Sequence, residues 1–393
     1  MSHVMNTYAR QPVAFVRGEG VWLWDEAGKK YLDALAGIAV NTLGYAHPRL
    51  TAALTKRIQS GVIHTSNLWR IPDQEAAADR VAEITGLDEV FFCNSGLEAT
   101  EASIKVARKY GHDKGIAEPA IIVMEKAFHG RSLATLSATG SRKVQAGFEP
   151  LVQGFVRVPL NDLESVRQVA SHNRNVSAVL IEPIQGEGGI NVSRLEYLRG
   201  LKQLCDEHGW LFISDEVQCG LGRTGKWFVY QHAGFQPDVV PLAKGLAGGV
   251  PVGACVVGNR AKGVFKPGNH GSTFGGNPLA MTGVVATIDA IKEEKLMERA
   301  AKVGDLIRNE IRSQNLPGIA DIRGMGSMIG IELDRPCGEL VLDCLHAGLV
   351  LNVTADNVVR MLPPLVMNEA EAREVVARFA PVLKAFLQKR AAA

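Results

Sequence analysis

Leu211-Phe-Ile-Ser-Asp215-Glu-Val-Gln218 sets a short apolar run directly before two acids. The run reads as a buried strand, with Asp215 at its carboxyl end. A carboxylate at the mouth of a buried strand is costly unless it has a partner. Four more runs have the same apolar, β-branched or aromatic character: Val90-Phe-Phe-Cys93, Ala120-Ile-Ile-Val-Met124, Ala178-Val-Leu-Ile-Glu182 and Ala254-Cys-Val-Val257. Helical text lies between several of them, as at 98–110 and 196–208. Apolar strands alternating with helices predict an α/β protein whose mostly parallel central sheet is covered on both faces. Ligands of such sheets sit at the carboxyl ends of the strands, where Asp215 stands.

Outward from that sheet the text changes. Val21-Trp-Leu-Trp-Asp25, a turn at Gly28 and Tyr31-Leu-Asp-Ala-Leu35 read as a hairpin, and 48–59 reads as a helix. After Pro278 a long helical stretch runs to about Arg312, and 321–333 reads as turn and strand. Asn368 opens a last helix with Glu371 as its capping-box partner. Val375, Phe379, Val382, Leu383 and Phe386 form that helix's apolar face, and Pro381 is expected to bend it. The expected organisation is an N-terminal segment (1–48) packing with a small domain, a large ligand-binding domain (49–277) and a smaller α+β domain (278–393).

With 393 residues, 46% of them hydrophobic and 21% charged, the chain can bury a large core. A net charge of +2 gives no case for nucleic acid or a membrane surface as partner. The first ten residues hold no apolar signal core, and no apolar run is long enough to span a bilayer. Six cysteines, far apart and without a C-x-x-C pair, read as reduced thiols, so the expected compartment is the cytoplasm. Asn175, Asn191 and Asn352 begin N-x-[ST] sequons that mean nothing without secretion.

Four features carry chemistry. Lys244 lies in Pro237-Asp-Val-Val-Pro-Leu-Ala-Lys244-Gly-Leu-Ala-Gly-Gly-Val-Pro-Val-Gly253 with no acid between Asp238 and the end of the run. A lysine taken out of water loses basicity and becomes a nucleophile. Asn94-Ser95-Gly96-Leu97 joins a strand to a helix, where free backbone N–H groups suit a phosphate. Phe128-His-Gly-Arg131 offers a ring to stack on a flat ligand and a guanidinium for a carboxylate. Asp215 suits a protonated ring nitrogen. Taken alone, each has an ordinary structural alternative: a solvated lysine, a helix cap, a core phenylalanine, a loop acid.

Two stretches mislead. Gly220-Leu-Gly-Arg-Thr-Gly225-Lys226 matches a P-loop until Trp227 stands where Ser or Thr should hold magnesium. Gly324-Met-Gly326 followed by Gly330 puts the third glycine of a dinucleotide fingerprint one place late. No clustered His/Cys set suggests a metal.

A carboxylate for a ring nitrogen, an aromatic for a ring face, helix-start amides for a phosphate and a lysine for an aldehyde together describe pyridoxal phosphate. The order of motifs also resembles the class-III aminotransferases, pyridoxal-phosphate enzymes of fold type I. The resemblance rests on Ser95-Gly96, Phe128-His-Gly-Arg131, Glu182-Pro-Ile-Gln-Gly-Glu187-Gly-Gly, Asp215-Glu-Val-Gln218, Lys244-Gly and Gly271-Ser-Thr-Phe-Gly-Gly-Asn-Pro278. It runs from Gly37-Ile-Ala-Val40 to Arg360.

The resemblance implies a role for each residue. Lys244 would carry the cofactor and move the proton. Asp215 would pair with the ring nitrogen, Val217 and Phe128 would pack its faces, and Gln218 would bond the phenolic oxygen. Ser95, Gly96 and Leu97 would hold the phosphate, joined by Thr273 from a partner subunit, which implies a homodimer. Leu97 departs from the family's threonine, keeping a backbone amide and losing a hydroxyl. Arg131, Ser272, Glu187 and Arg360 would meet substrate, with Glu187 covering Arg360 and swinging aside for glutamate. The implied reaction moves the δ-amino group of N-acetylornithine to 2-oxoglutarate. Ornithine, succinylornithine, succinyl-diaminopimelate and 4-aminobutyrate remain open as donors. Two other classes remain as well: a cofactor-binding regulator, for which no basic helix-turn-helix text is present, and a racemase or aminomutase on the same cofactor.

Overall fold

The computed structural model describes residues 3–389. Met1, Ser2 and 390–393, which open and close the expected terminal segments, lie outside it. A seven-stranded sheet forms the centre. Its strands are β1 (Glu89–Cys93), β2 (Ala120–Met124), β3 (Phe155–Val158), β4 (Val176–Ile181), β5 (Leu211–Ser214), β6 (Val239–Leu242) and β7 (Gly253–Val257). They lie in the order β1-β7-β6-β5-β4-β2-β3. β7 runs antiparallel to both neighbours, while the pairs from β6 to β3 are parallel. Every residue of β2, β4, β5 and β6 is buried, as a sheet covered on both faces requires.

Two of these strands escape the sequence reading. β6 contains Pro241, which lacks the N–H a central ladder uses. Its carbonyl still accepts from the N–H of Glu216 at 3.2 Å, so the strand keeps its place. β3 is a four-residue edge strand with the polar Arg157 inside it. The helical stretch expected from Pro278 to Arg312 is two helices, Pro278–Glu293 and Leu296–Ser313. They part at Lys295, whose φ of 52° is left-handed. Neither glycine nor proline marks the break. It lets both apolar faces reach the interior, with Leu296 fully buried at the new start.

The two ends of the chain share one small sheet. Phe15–Glu19, Trp22–Asp25 and Lys30–Asp33 form an antiparallel meander, and Leu349–Val350 adds to it in parallel. A second sheet has the order Ile319–Met325, Met328–Leu333, Val358–Met361, Asn352–Thr354. Its first two strands turn at Gly326 and Ser327, so 321–333 is a hairpin rather than one strand. The last helix, Glu369–Gln388, carries the expected capping box and continues through Pro381. Val375, Phe379, Leu383 and Phe386 are buried in it, and Val382 is partly buried.

The stretch that imitates a P-loop clasps these parts together. Arg223 is buried and donates through Nη1 to Ser327 Oγ (3.2 Å) and Pro363 O (2.9 Å). A side chain on Gly326, at φ 55°, would strike the Arg223 carbonyl at 2.4 Å. All six cysteines are free and buried. Among the described residues, no helix is long and apolar enough to cross a membrane, and no group of His, Cys, Asp and Glu could hold a metal ion.

Candidate active site

The carboxyl ends of β1, β2, β5 and β6 converge on a cavity of about 370 Å³. The helix Gly96–Asp113 starts at its edge. Ser95 caps that helix, its Oγ accepting from the Glu98 N–H at 3.2 Å. The N–H groups of Gly96 and Leu97 make no hydrogen bond with the described residues, as first-turn amides often do not, and both residues line the cavity. Gly96 has to be glycine: a Cβ there would lie 2.7 Å from Val217 Cγ1. The loop after β1 and the loop after β5 therefore touch, and both line the cavity.

Asp215 follows β5. Its Oδ2 accepts from His129 Nδ1 at 2.7 Å and its Oδ1 from the Val217 N–H at 3.1 Å. Because a carboxylate only accepts, Nδ1 of His129 carries the proton. His129 Nε2 is buried without a partner among the described residues. Glu182, at the end of β4, accepts from the N–H groups of Phe128 (2.7 Å) and Gly186 (3.3 Å). Burial, with Asp215 close by, pushes its carboxyl up to about 7, although His129 opposes the shift. One acid thus ties two of the motifs to the sheet.

Lys244 follows β6 and opens a short 3₁₀ turn, Lys244–Ala247, at φ 46°. A left-handed lysine is a strained residue of the kind that collects at functional sites. Its ammonium makes no hydrogen bond with the described residues. Burial lowers its pKa, and the nearby Glu187 carboxylate opposes this only in part. Lys244, Phe128 and Arg131 line the first cavity and also a second of about 1040 Å³, so they stand where the two meet. Arg131 is exposed and sits 5.7 Å from the centre of the Phe128 ring.

The wider cavity also touches Tyr8, Gly188, Arg323 and Glu187. Glu187 Oε1 accepts from Arg360 Nη1 at 2.5 Å, and Gln218 Oε1 accepts from the same nitrogen at 3.3 Å. Burial would raise the Glu187 carboxyl, but Arg360's charge and hydrogen bond outweigh it and hold it below the usual range. Arg360 is fully buried, lines neither cavity and keeps Nη2 without a partner among the described residues. Glu187 therefore lies between Arg360 and the open space.

Ser272 and Thr273 are not part of either cavity. Ser272 Oγ accepts from Asn94 Nδ2 (3.2 Å) and the Gly275 N–H (3.0 Å), and Thr273 is exposed. The structure thus brings Ser95, Gly96, Leu97, Phe128, Arg131, Asp215, Val217, Gln218 and Lys244 to one cavity and Glu187 beside it. His129, Glu182 and Tyr8 belong to the site and carry no role in the sequence reading. His129 and Glu182 lie inside quoted motifs, so their signal was present; Tyr8, in a polar N-terminal stretch, offered none.

These residues fit a phosphorylated, flat, aldehyde-bearing group. Two free amides, an aromatic ring, a buried acid and an unbonded lysine surround a cavity of suitable size. The comparisons agree. The family model Aminotransferase class-III matches residues 4–383. An acetylornithine aminotransferase of Nitrosomonas europaea is 56% identical over 99% of this chain and 100% of its own length. An ornithine aminotransferase of Toxoplasma gondii, described with partial occupancy of PLP at its active site, superposes with a TM-score of 0.95. It is 34% identical and covers 99% of this chain and 93% of its own. An acetylornithine aminotransferase of Elizabethkingia anophelis superposes with a TM-score of 0.88 at 38% identity, over 97% of this chain and 96% of its own. With residues 4–383 matched and a cavity whose lining fits such a group, this chain belongs to the class-III aminotransferases.

Proposed function

We propose that the chain is a pyridoxal-phosphate-dependent aminotransferase that moves the δ-amino group of N-acetylornithine to 2-oxoglutarate, giving the semialdehyde and glutamate. The single observation that carries the two-substrate reading is Glu187 lying over the buried Arg360. In N-acetylornithine the reacting carbon bears no carboxylate. Glutamate reacts beside its α-carboxylate and carries a second one at the far end. Exposed Arg131 can take the far carboxylate of either. Arg360 is suited to the α-carboxylate of glutamate, and Glu187 screens it when that carboxylate is absent. Glu187 bonds Arg360 through one oxygen, whereas a substrate carboxylate can take two nitrogens of the guanidinium. Bidentate pairing is the stronger, which gives glutamate the means to displace the lid. The donor is assigned from the relatives named acetylornithine aminotransferase.

Pyridoxal phosphate, when bound, supplies the carbonyl that takes the amino group from one substrate and gives it to the other. The remaining work falls to the chain. The amides of Gly96 and Leu97 and the Ser95 cap would hold the phosphate. Val217 and Phe128 would enclose the ring, and Gln218 would face its phenolic oxygen. Asp215, fixed by His129 and Val217, would present a carboxylate to the ring nitrogen. Lys244 would carry the cofactor. Freed during turnover, its amine would move a proton at the substrate carbon, and lowered basicity suits that exchange near neutral pH.

The phosphate site lacks a side-chain hydroxyl at Leu97. Thr273 of a second copy would supply one, which makes the enzyme a homodimer. Two facts support that reading. Thr273 is exposed and outside its own cavities. Around it lies an apolar surface, with Leu68 85%, Trp69 71% and Phe274 61% exposed. Asn67 Nδ2 ties that surface to the loop by donating to Ser272 O at 3.1 Å. Ser272 would then meet substrate from the same loop. Six buried free thiols are in keeping with a reducing cytoplasm.

The test is a panel of amino donors, each run with 2-oxoglutarate and ranked by kcat/KM. N-acetylornithine should rank first. Ornithine, succinylornithine, succinyl-diaminopimelate or 4-aminobutyrate ranking first would overturn the donor assignment and leave the aminotransferase standing.

A further inference from the structure

Arg360 and Asn352 stand opposite each other in the antiparallel pair of strands Asn352–Thr354 and Val358–Met361. Arg360 Nε donates to Asn352 Oδ1 at 3.1 Å. Nη1 serves Glu187 and Gln218, and Nη2 is buried without a partner among the described residues. A guanidinium can meet a carboxylate along two edges. One edge pairs Nε with a terminal nitrogen, and the other pairs the two terminal nitrogens. Asn352 occupies Nε and so closes the first edge. The terminal edge remains, half taken by a single oxygen of Glu187.

We infer that Asn352 is a positioning residue that selects the terminal edge of Arg360 for the α-carboxylate of glutamate and 2-oxoglutarate. The inference rests on the reading of Arg360 given under Proposed function. Asn352 suits the task because its amide is neutral. It holds Nε without cancelling the charge, so the guanidinium keeps its attraction for a substrate carboxylate. It also lies on a strand paired to the strand of Arg360, apart from the segment that carries Glu187. When the Glu187 side chain leaves, the anchor on Nε stays. The main chain of Glu187 is held as well, since Thr354 Oγ1 donates to its carbonyl at 2.6 Å. The lid then moves by side-chain rotation while the arginine under it keeps its orientation.

The test uses Asn352→Leu, which removes the acceptor at similar volume, in single-turnover measurements on the holoenzyme with each amino donor separately. The concentration of glutamate giving half-maximal rate should rise about tenfold, the scale of a lost hydrogen bond to a charged group. The same quantity for N-acetylornithine, and both limiting rates, should stay within about twofold, because that donor does not use Arg360. Asn352→Ala, which relieves any clash the leucine introduces, should give the same split. Glu187→Gln serves as the parallel control. It should keep or improve the glutamate half-reaction and lose the preference for the δ-amine over α-amines. If Glu187→Gln behaves so while both Asn352 variants change the two donors equally, or neither, Asn352 is an ordinary strand residue and the inference is wrong. If Glu187→Gln slows both half-reactions alike, the reading of Arg360 falls and takes this inference with it.

Discussion

At the floor of the smaller cavity, Asp215 accepts hydrogen bonds on both oxygens from His129 and Val217. At the mouth, Arg131 is exposed and free of any ion pair with the described residues, and Glu187 holds Arg360 by one oxygen. The floor is set before any ligand arrives, on loops that leave a rigid sheet. The mouth keeps charges whose partners can be exchanged. The difference teaches how one site serves two unlike substrates. The step common to both half-reactions needs preorganised charge, which costs no rearrangement at the moment of reaction. The step that distinguishes them needs a contact weak enough to give up.

The largest expected effect breaks the floor outright. Lys244→Ala should abolish turnover while the phosphate and ring contacts still hold cofactor. In the wild type, borohydride should bleach the yellow colour and leave the cofactor permanently attached to the peptide containing Lys244. Cofactor attached to another lysine, such as Lys226, would overturn the assignment. Next in size is Asp215→Asn. An interaction that strengthens toward the transition state should cost at least ~2.7 kcal/mol when its charge is removed, roughly a hundredfold in kcat. A variant within threefold of the wild type would remove Asp215 from the floor's chemistry.

The smallest effect separates two neighbours on the chain. Glu216 follows Asp215 but points into the core, where its Oε1 accepts from the N–H groups of Val229 (2.8 Å) and Tyr230 (3.3 Å). Burial pushes its carboxyl from the ordinary 4.5 up to about 7. Between those values the folded protein keeps a proton that the unfolded chain has lost. Stability from this group is therefore full below about pH 4.5 and falls as pH rises to about 7, by at most ~3.5 kcal/mol at ~1.4 kcal/mol per unit. Glu216→Gln should flatten that part of the pH–stability curve and leave kcat within about threefold. Chemical denaturation at pH 5, 6, 7 and 8 reads the slope. An unchanged slope would show that Glu216 is not the group responsible, and a hundredfold fall in kcat would place it with Asp215 instead.

Much of this arrangement was legible in the residues. The runs at 90, 120, 178, 211 and 254 lie in strands β1, β2, β4, β5 and β7, because apolar β-branched text of that length has few other uses. β6 was hidden by Pro241, and the break at Lys295 by the lack of any residue that favours a positive φ. At the floor, Lys244, Asp215, Phe128 and Gly96 were found through their chemistry. His129 lies in the same motif as Phe128 and Arg131, but only strand order brings it to Asp215 on another strand end. Along the chain Asn352 shows only the start of a sequon, and its partner Arg360 lies eight residues on, across a strand turn.

The sequence by itself determined the alternation of strands and helices, the residue types gathered at the cavity and the order of motifs along the chain. Each depends on local pattern or on residue type, which a linear text carries. Tertiary structure alone decided that His129 backs Asp215, that Glu182 ties Phe128 to Gly186, and that Glu187 lies over Arg360 with Asn352 on its Nε. Those contacts join residues separated by as many as 173 positions. They depend on strand order, register and the direction of single side chains, and a register slip of one residue would turn Arg360 to the other face of its sheet.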